Sequence, residues 1–401
     1  MSRKLFVVLT VLVALSMLLV ACGGGTEPVA EEPAAEEPVA EEPATEEPVA
    51  EEPAAEEPVA EEPATEEPVA EEPGETEGPA PSQGSSDTLA AVQERGILNC
   101  ATSSGLLGFS YAEEGGEFEG FDVTYCKAVA AAALGNSEAV EIRPVNASER
   151  FPVLQSGEVD VLIRNTTWTL SRDTSLGFNF APTTFYDGQG MMVRKDSGIT
   201  NLDGLSGGTV CVNAGTTTEK NLADVFRSRG IDYEPVVFAE AVDVVNAFGE
   251  GRCDGWTTDK SGLIGNSQLL PNPADFVILD ETMSKEPLGP LVRHGDDNWF
   301  DIVKWTVFCT IQAEELGIDS TNVDDMLGSD DPKVLNTLGV EGDLGQAMGL
   351  NNDFCYQVIK QVGNFEEIYN LHLGPDTVFN VPRGLNSTWL DGGLLYSPPF
   401  R

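Results

Sequence analysis

Histidine is almost missing from this sequence: His294 and His372 are the only two in 401 residues. A Ser-His-Asp or Cys-His catalytic site would have to use one of them, and both stand in stretches that read as solvated helix flanks. Zinc is equally poorly supplied, because no Cys-x-x-Cys occurs and neither histidine lies near a cluster of cysteines. There is no GxxxxGK[ST] phosphate loop, and the stretch Gly204 to Gly208 lacks the GxGxxG order of a dinucleotide-binding turn. Positive charge is scarce, with 22 Lys and Arg against 67 Asp and Glu and a formal net charge of −45. Such an acidic chain is a poor partner for nucleic acid. Beyond the N-terminus, no apolar run approaches the roughly 20 residues that cross a bilayer.

One apolar run is present, at the start. Arg3 and Lys4 precede the stretch Leu5 to Val20, and Leu19-Val20-Ala21-Cys22 leads into three glycines. A charged start, a short apolar segment and small residues at the cut read as a secretion signal. The cysteine at the cut resembles a bacterial lipobox, which implies cleavage before Cys22, lipid on its sulfur and attachment to a membrane outside the cytoplasm. An ordinary signal with an incidental cysteine is the alternative. Residues 23–87 then form a tether, built largely from Glu-Glu-Pro-Val-Ala and its variants. Its 21 Glu, from Glu27 to Glu77, meet no Lys or Arg. Such a segment buries too little apolar surface to offset its chain entropy, and proline at every fifth position blocks helix and sheet. It reads either as a reach through surface material or as a solubilising spacer.

Six cysteines follow Cys22: Cys100, Cys126, Cys211, Cys253, Cys309 and Cys355. An even number in an exported chain points to three disulfides, though six cysteines permit 15 pairings. The remaining body of roughly 310 residues exceeds what one core usually serves, so two lobes are expected. In it, strands alternate with helices, the mark of parallel βαβ units and an α/β fold. Asp122 has the chemistry of an N-cap for the alanine-rich helix that ends at Gly135, whose chemistry suits a C-cap. Further on, Thr209–Asn213 reads as a strand, Thr218–Arg229 as a helix, and Asp297–Glu315 as a long amphipathic helix. Residues 318–401 continue helical and finish in a loop-rich tail.

The most informative stretch is Ser156-Gly-Glu-Val-Asp-Val-Leu-Ile-Arg-Asn-Thr-Thr-Trp-Thr-Leu-Ser-Arg-Asp173. A buried strand runs out there into a loop of hydroxyls and an amide, with Arg172 beyond. Polar loops at the C-terminal ends of parallel strands are where α/β lobes bind ligands. Arginine suits a carboxylate through its two parallel N–H donors; pairing of Arg172 with a surface acid such as Asp173 is the other reading.

Over roughly residues 88–383 the chain resembles the family 3 solute-binding proteins of ABC transporters for polar amino acids. Gly116-Glu-Phe-Glu-Gly-Phe-Asp-Val123, the stretch from Ser156 through Arg172, Thr209-Val-Cys-Val-Asn-Ala-Gly-Thr-Thr217 and Gly251-Arg-Cys-Asp-Gly-Trp-Thr-Thr-Asp259 carry the likeness in the family's order. Asn165-Thr-Thr-Trp-Thr-Leu-Ser-Arg172, Asp187-Gly-Gln-Gly190 and Lys285-Glu-Pro-Leu-Gly-Pro290 look most like its general L-amino-acid-binding branch.

The resemblance implies a type II periplasmic-binding-protein fold. Lobe one would be 88–192 with 287–401, lobe two 193–286, joined by a two-strand hinge and followed by an extra C-terminal helical segment. It implies that Arg172 clamps the α-carboxylate of a free L-amino acid with help from Thr217 and the neighbouring Thr216. Asn165 and Thr167 fall where the loop binds the ligand's ammonium and carboxylate, and Asp259 where an aspartate accepts from the ammonium. Ser103 sits near the position that recognises the side chain, and Leu106 replaces an aromatic that often stacks on the ligand. Pairing Cys100 with Cys126, Cys211 with Cys253 and Cys309 with Cys355 suits this fold. The implied partners are the amino acid, an ABC permease and the membrane, for a monomer with no cofactor and no metal. An enzyme on the same scaffold, or a sensor feeding a receptor, is the alternative.

Overall fold

A computed structural model describes residues 87–401 except Glu114. The secretion signal, the lipobox cysteine Cys22 and the Glu/Pro tether lie outside the described residues, apart from the tether's last residue, Asp87.

Two sheets carry the fold. Into the first go β1 (Leu98–Ser103), β4 (Val140–Val145), β5 (Val161–Leu162), β6 (Phe178–Phe180) and β13 (Leu291–Arg293), while β2 (Tyr111–Ala112) and β3 (Phe118–Glu119) make a separate hairpin. Its order is β4-β1-β5-β13-β6, with β4, β1 and β5 parallel. The second contains β7 (Phe185–Arg194), β8 (Gly208–Asn213), β9 (Tyr233–Phe238), β10 (Gly255–Asp259) and β11 (Phe276–Ile278) in the order β11-β7-β10-β8-β9. There β10, β8 and β9 are parallel and β7 runs against them. The chain crosses between the sheets twice, in the first residues of β7 and in β12 (Lys285–Leu288). These pair antiparallel from Phe185↔Leu288 to Gly188↔Lys285. This is the two-lobed α/β architecture with a two-strand crossover.

Helices α1 (Asp87–Arg95), α2 (Phe121–Leu134), α3 (Arg150–Gln155) and α7 (Asp297–Glu315) clothe the first sheet; α4 (Thr217–Arg229), α5 (Ala241–Gly249) and α6 (Lys260–Ser267) clothe the second. Helix α2 is buried almost all round, as a helix rich in alanine must be when both faces pack. Its N-cap is Gly120, not Asp122 as expected. Gly120 has φ 129°, and a Cβ there would sit 2.2 Å from the Phe109 carbonyl oxygen, so only glycine fits. Asp122 instead lies buried in the first turn. Gly135 closes the helix with φ 72° and donates its N–H to Ala131 O.

The C-terminal segment adds α8 (Val323–Met326), α9 (Pro332–Thr337), α10 (Leu344–Ala347), α11 (Phe354–Val362) and α12 (Phe365–His372). Helix α11 packs on α2 and α7, and Phe121, Phe185, Phe365 and Tyr369 form an aromatic cluster at the heart of this lobe. His372 is therefore no solvated flank. It is half-buried with Nε2 2.7 Å from Thr124 Oγ1, and burial lowers its pKa to about 4.

Three disulfides brace these layers. Cys100–Cys126 ties β1 to α2, Cys211–Cys253 ties β8 to the turn before β10, and Cys309–Cys355 ties α7 to α11.

Candidate ligand cleft between the two sheets

The parallel strands of both sheets point their C-terminal ends at one cavity. Ser103 to Leu106 follow β1, Asn146 and Arg150 follow β4, and Arg164, Asn165 and Thr167 follow β5. From the other side come Asn213 and Thr216 to Thr218 after β8, Ala239 and Ala241 after β9, and Thr258 and Asp259 at the end of β10. The cavity volume is about 50 Å³.

The walls touch across it. Asn165 Nδ2 donates to Asp259 Oδ2 at 2.9 Å, and the hydroxyls of Thr167 and Thr217 are 3.1 Å apart. Arg150 Nη2 reaches Gly215 O at 3.3 Å, and Asn146 Nδ2 donates to Glu240 Oε1 at 2.8 Å.

Of the residues picked out from sequence, Asn165, Thr167, Thr216, Thr217, Asp259 and Ser103 all line this cavity, and so does Leu106. Thr216 is also the N-cap of α4, its hydroxyl accepting from Glu219 N at 3.0 Å. Arg172 stands one layer back. It is buried, with 6% exposed, and is not part of the lining. Its Nη1 donates to Thr167 O at 2.7 Å, directly behind the loop, and its guanidinium lies 5.1 Å from the Phe151 ring. Asp173 does not pair with it; that carboxylate accepts from Trp168 Nε1 at 2.9 Å.

Three buried atoms of cavity-lining residues have no hydrogen-bond partner among the described residues: the acceptor Asp259 Oδ1 and the donors Arg150 Nε and Trp256 Nε1. Asp259 and Arg150 are the pair of opposite polarity among them. Buried polar atoms are nearly always satisfied, so a ligand that presents a donor to one and an acceptor to the other would complete both.

The sequence profile of the bacterial extracellular solute-binding proteins, family 3, matches residues 98–317. The chain is 50% identical over 319 residues to the general L-amino acid-binding periplasmic protein AapJ of Rhizobium johnstonii, covering 79% of this chain and 94% of that one. The chain belongs to this solute-binding family. It is also 48% identical over 318 residues to the glutamate/glutamine/aspartate/asparagine-binding protein BztA of Rhodobacter capsulatus, with the same 79% and 94% coverage. Among solved structures, an ABC transporter periplasmic binding protein from Brucella ovis with glutathione bound matches at TM-score 0.77 and 49% identity, over 79% of this chain and all of that one. All three carry the names of solute-binding proteins, and that of the Brucella ovis structure adds an ABC transporter.

The electrostatics of this solute-binding protein's cleft divide by wall. Arg150, Arg164 and Arg172 all belong to the first-sheet side. Burial lowers the pKa of Arg164 and Arg172 to about 10; Asp122 and Asp259 pull Arg164 back up, Glu286 and Asp259 do so for Arg172. Arg150 is lowered by burial and then by the other two arginines. Of the acids, Asp259 stands opposite at the end of β10, while Asp187 and Glu286 sit on the paired crossover strands, outside the cavity lining. Burial pushes Asp259 up to about 8, and the neighbouring charges of Asp187 and Glu286 push the same way. Asp187 is raised by burial to about 6, although it accepts from Ser261 and Gly188.

Four of these charged residues escaped the reading of the chain as site members. Arg164 directly follows the apolar run Val161–Ile163, and that position at a strand's exit was a usable signal. Arg150 opens a short helix, and nothing in spacing told it from a surface arginine. Asp187 and Glu286 stand outside the cavity lining and come near it only because two strands far apart in sequence pair at the crossover.

Proposed function

We propose that this protein is the extracytoplasmic substrate-binding component of an ABC transporter and takes a free L-amino acid between its lobes. The observation that carries the reading is one cavity lined by Arg150 and Arg164 on one wall and by Asp259 on the other, with unpartnered buried atoms on both, Arg150 Nε on the first and Asp259 Oδ1 and Trp256 Nε1 on the second. A zwitterion gives up much hydration on burial, and charge-matched hydrogen bonds at both ends offset that cost. The ammonium would face Asp259 with Asn165. The α-carboxylate would take donors from the loop Asn165–Thr167 and from Thr216 and Thr217, with Arg172 behind the loop as its fixed countercharge. Ser103 and Arg150, which line the same cavity, would meet the ligand's side chain. The names of the relatives AapJ and BztA support amino acids as the solute class.

Lobe one is 88–192 with 287–401 and lobe two is 193–286 in this proposal. Because the ligand's full contact set needs both, binding shifts the protein toward closure. The closed form is then the one presented to a membrane permease. The N-terminal sequence supports export, lipid on Cys22 and a tether of residues 23–87, carrying a monomer at the membrane surface. A small peptide is the second reading, favoured by the Brucella ovis relative with glutathione bound; the small cavity favours a single amino acid. A thermal-shift screen of the secreted protein against the twenty L-amino acids and glutathione tests both, since ligand raises apparent stability by mass action. Shifts with amino acids and none with glutathione are expected; no shift with any amino acid would refute the proposal.

A further inference from the structure

Glu286 lies in β12, on the crossover, with 1% of its surface exposed. Its carboxylate accepts four side-chain hydrogen bonds from three parts of the fold. Thr167, in the loop after β5, donates to Oε2 at 2.5 Å, and Thr217, at the start of α4, donates to the same oxygen at 3.0 Å. Oε1 takes Asn221, one turn further along α4, at 2.9 Å, and the hydroxyl of Ser284 just before β12.

The two sides of this junction are attached differently. The loop around Thr167 is sewn to the crossover by its backbone: Trp168 N donates to Pro287 O at 2.8 Å and Gly289 N to Thr166 O at 3.3 Å. Thr167 therefore stays with Glu286. Helix α4 packs instead on β8 and β10 of the second sheet, and it meets Glu286 through the side chains of Thr217 and Asn221. A buried carboxylate stripped of donors is costly, and this one has its full set only while α4 is seated against the crossover.

We infer that Glu286 is a positioning residue that sets the angle between the lobes. It holds α4 against the loop Asn165–Thr167 before any solute arrives, so that the cleft is biased toward its closed geometry in the ligand-free protein. Solute affinity then depends on Glu286 without direct contact, because a smaller fraction of binding-competent protein lowers apparent affinity in proportion. This inference rests on the reading of the cleft as a solute site only for its second readout.

The test uses the full chain in two variants, Glu286→Gln and Asn221→Ala; Asn221 is outside the cavity lining. Small-angle X-ray scattering without ligand is expected to show a larger particle for Glu286→Gln than for wild type, and a smaller expansion for Asn221→Ala. Calorimetry with the best-binding L-amino acid is expected to show affinity about tenfold weaker in Glu286→Gln. A role confined to fold stability would lower the melting temperature of both variants and leave scattering and affinity as in wild type, which overturns the inference. Should Glu286→Gln fail to fold, unchanged scattering of Asn221→Ala overturns it on its own. If the wild type binds no amino acid, the proposed function fails, and the ligand-free scattering still decides the role of Glu286.

Discussion

The two walls of the cleft solve opposite problems. The first-sheet wall carries Arg150, Arg164 and Arg172, all buried and each depressed by desolvation. The facing side carries Asp259, with Asp187 and Glu286 nearby on the crossover strands, and burial raises the pKa of Asp259 to about 8 and of Asp187 to about 6. A guanidinium keeps its charge even when its pKa falls to about 10, whereas a carboxylate raised to about 8 does not keep its own at pH 7. The cationic wall is thus fixed and the anionic wall responds to its surroundings. A ligand's ammonium, placed beside Asp259, would restore the missing negative charge.

The cationic wall is broken hardest by Arg172→Ala. Loss of a buried countercharge to a bound carboxylate costs about 2–5 kcal/mol, and calorimetry should show amino-acid affinity falling accordingly. On the opposite wall, Asp259→Asn keeps the shape and removes the charge. A hydrogen bond to a charged group contributes about 1.5–3 kcal/mol, so the expected loss is somewhat smaller.

A third test changes pH rather than sequence. Solute needs Asp259 ionised, so binding releases a proton wherever the free protein holds one. Affinity should rise about tenfold per unit as pH climbs toward the folded pKa and level off above it. Asp259→Asn should flatten that rise.

A fourth test reads stability rather than affinity, at Asp122 in the first turn of α2. Burial raises its pKa to about 8, opposed by Arg164. A carboxyl raised in the folded state favours folding below its unfolded pKa, and that contribution is lost as pH rises from about 4 through about 8. Melting temperatures between those pH values should therefore fall less in Asp122→Asn than in wild type.

Much of this fold was legible along the chain because its signals are local. Asp297–Glu315 falls at the ends read from its periodicity, and Thr209–Asn213 and Thr218–Arg229 each begin one residue inside the observed strand and helix. The three disulfides followed from the family resemblance, not from spacing. Asp122 was misread because an aspartate before an alanine-rich run looks like a cap, while the tight approach of Phe109 O that requires Gly120 is a tertiary fact. His372 was misread because the helix that buries it packs against α2, over 200 residues earlier in the chain. In the cleft, the polar loop residues after the strands were visible. Glu286 was not, because it becomes a site residue only when β12 pairs with β7.

The central claim is that one cavity recognises both charged ends of a single small molecule. Calorimetry with the tightest-binding L-amino acid, its α-hydroxy acid and its methyl ester tests this directly. Each analogue loses one charged end and should bind at least about a hundredfold more weakly, since a buried group left unpaired is strongly penalised. An α-hydroxy acid that binds as tightly as the amino acid would contradict the claim.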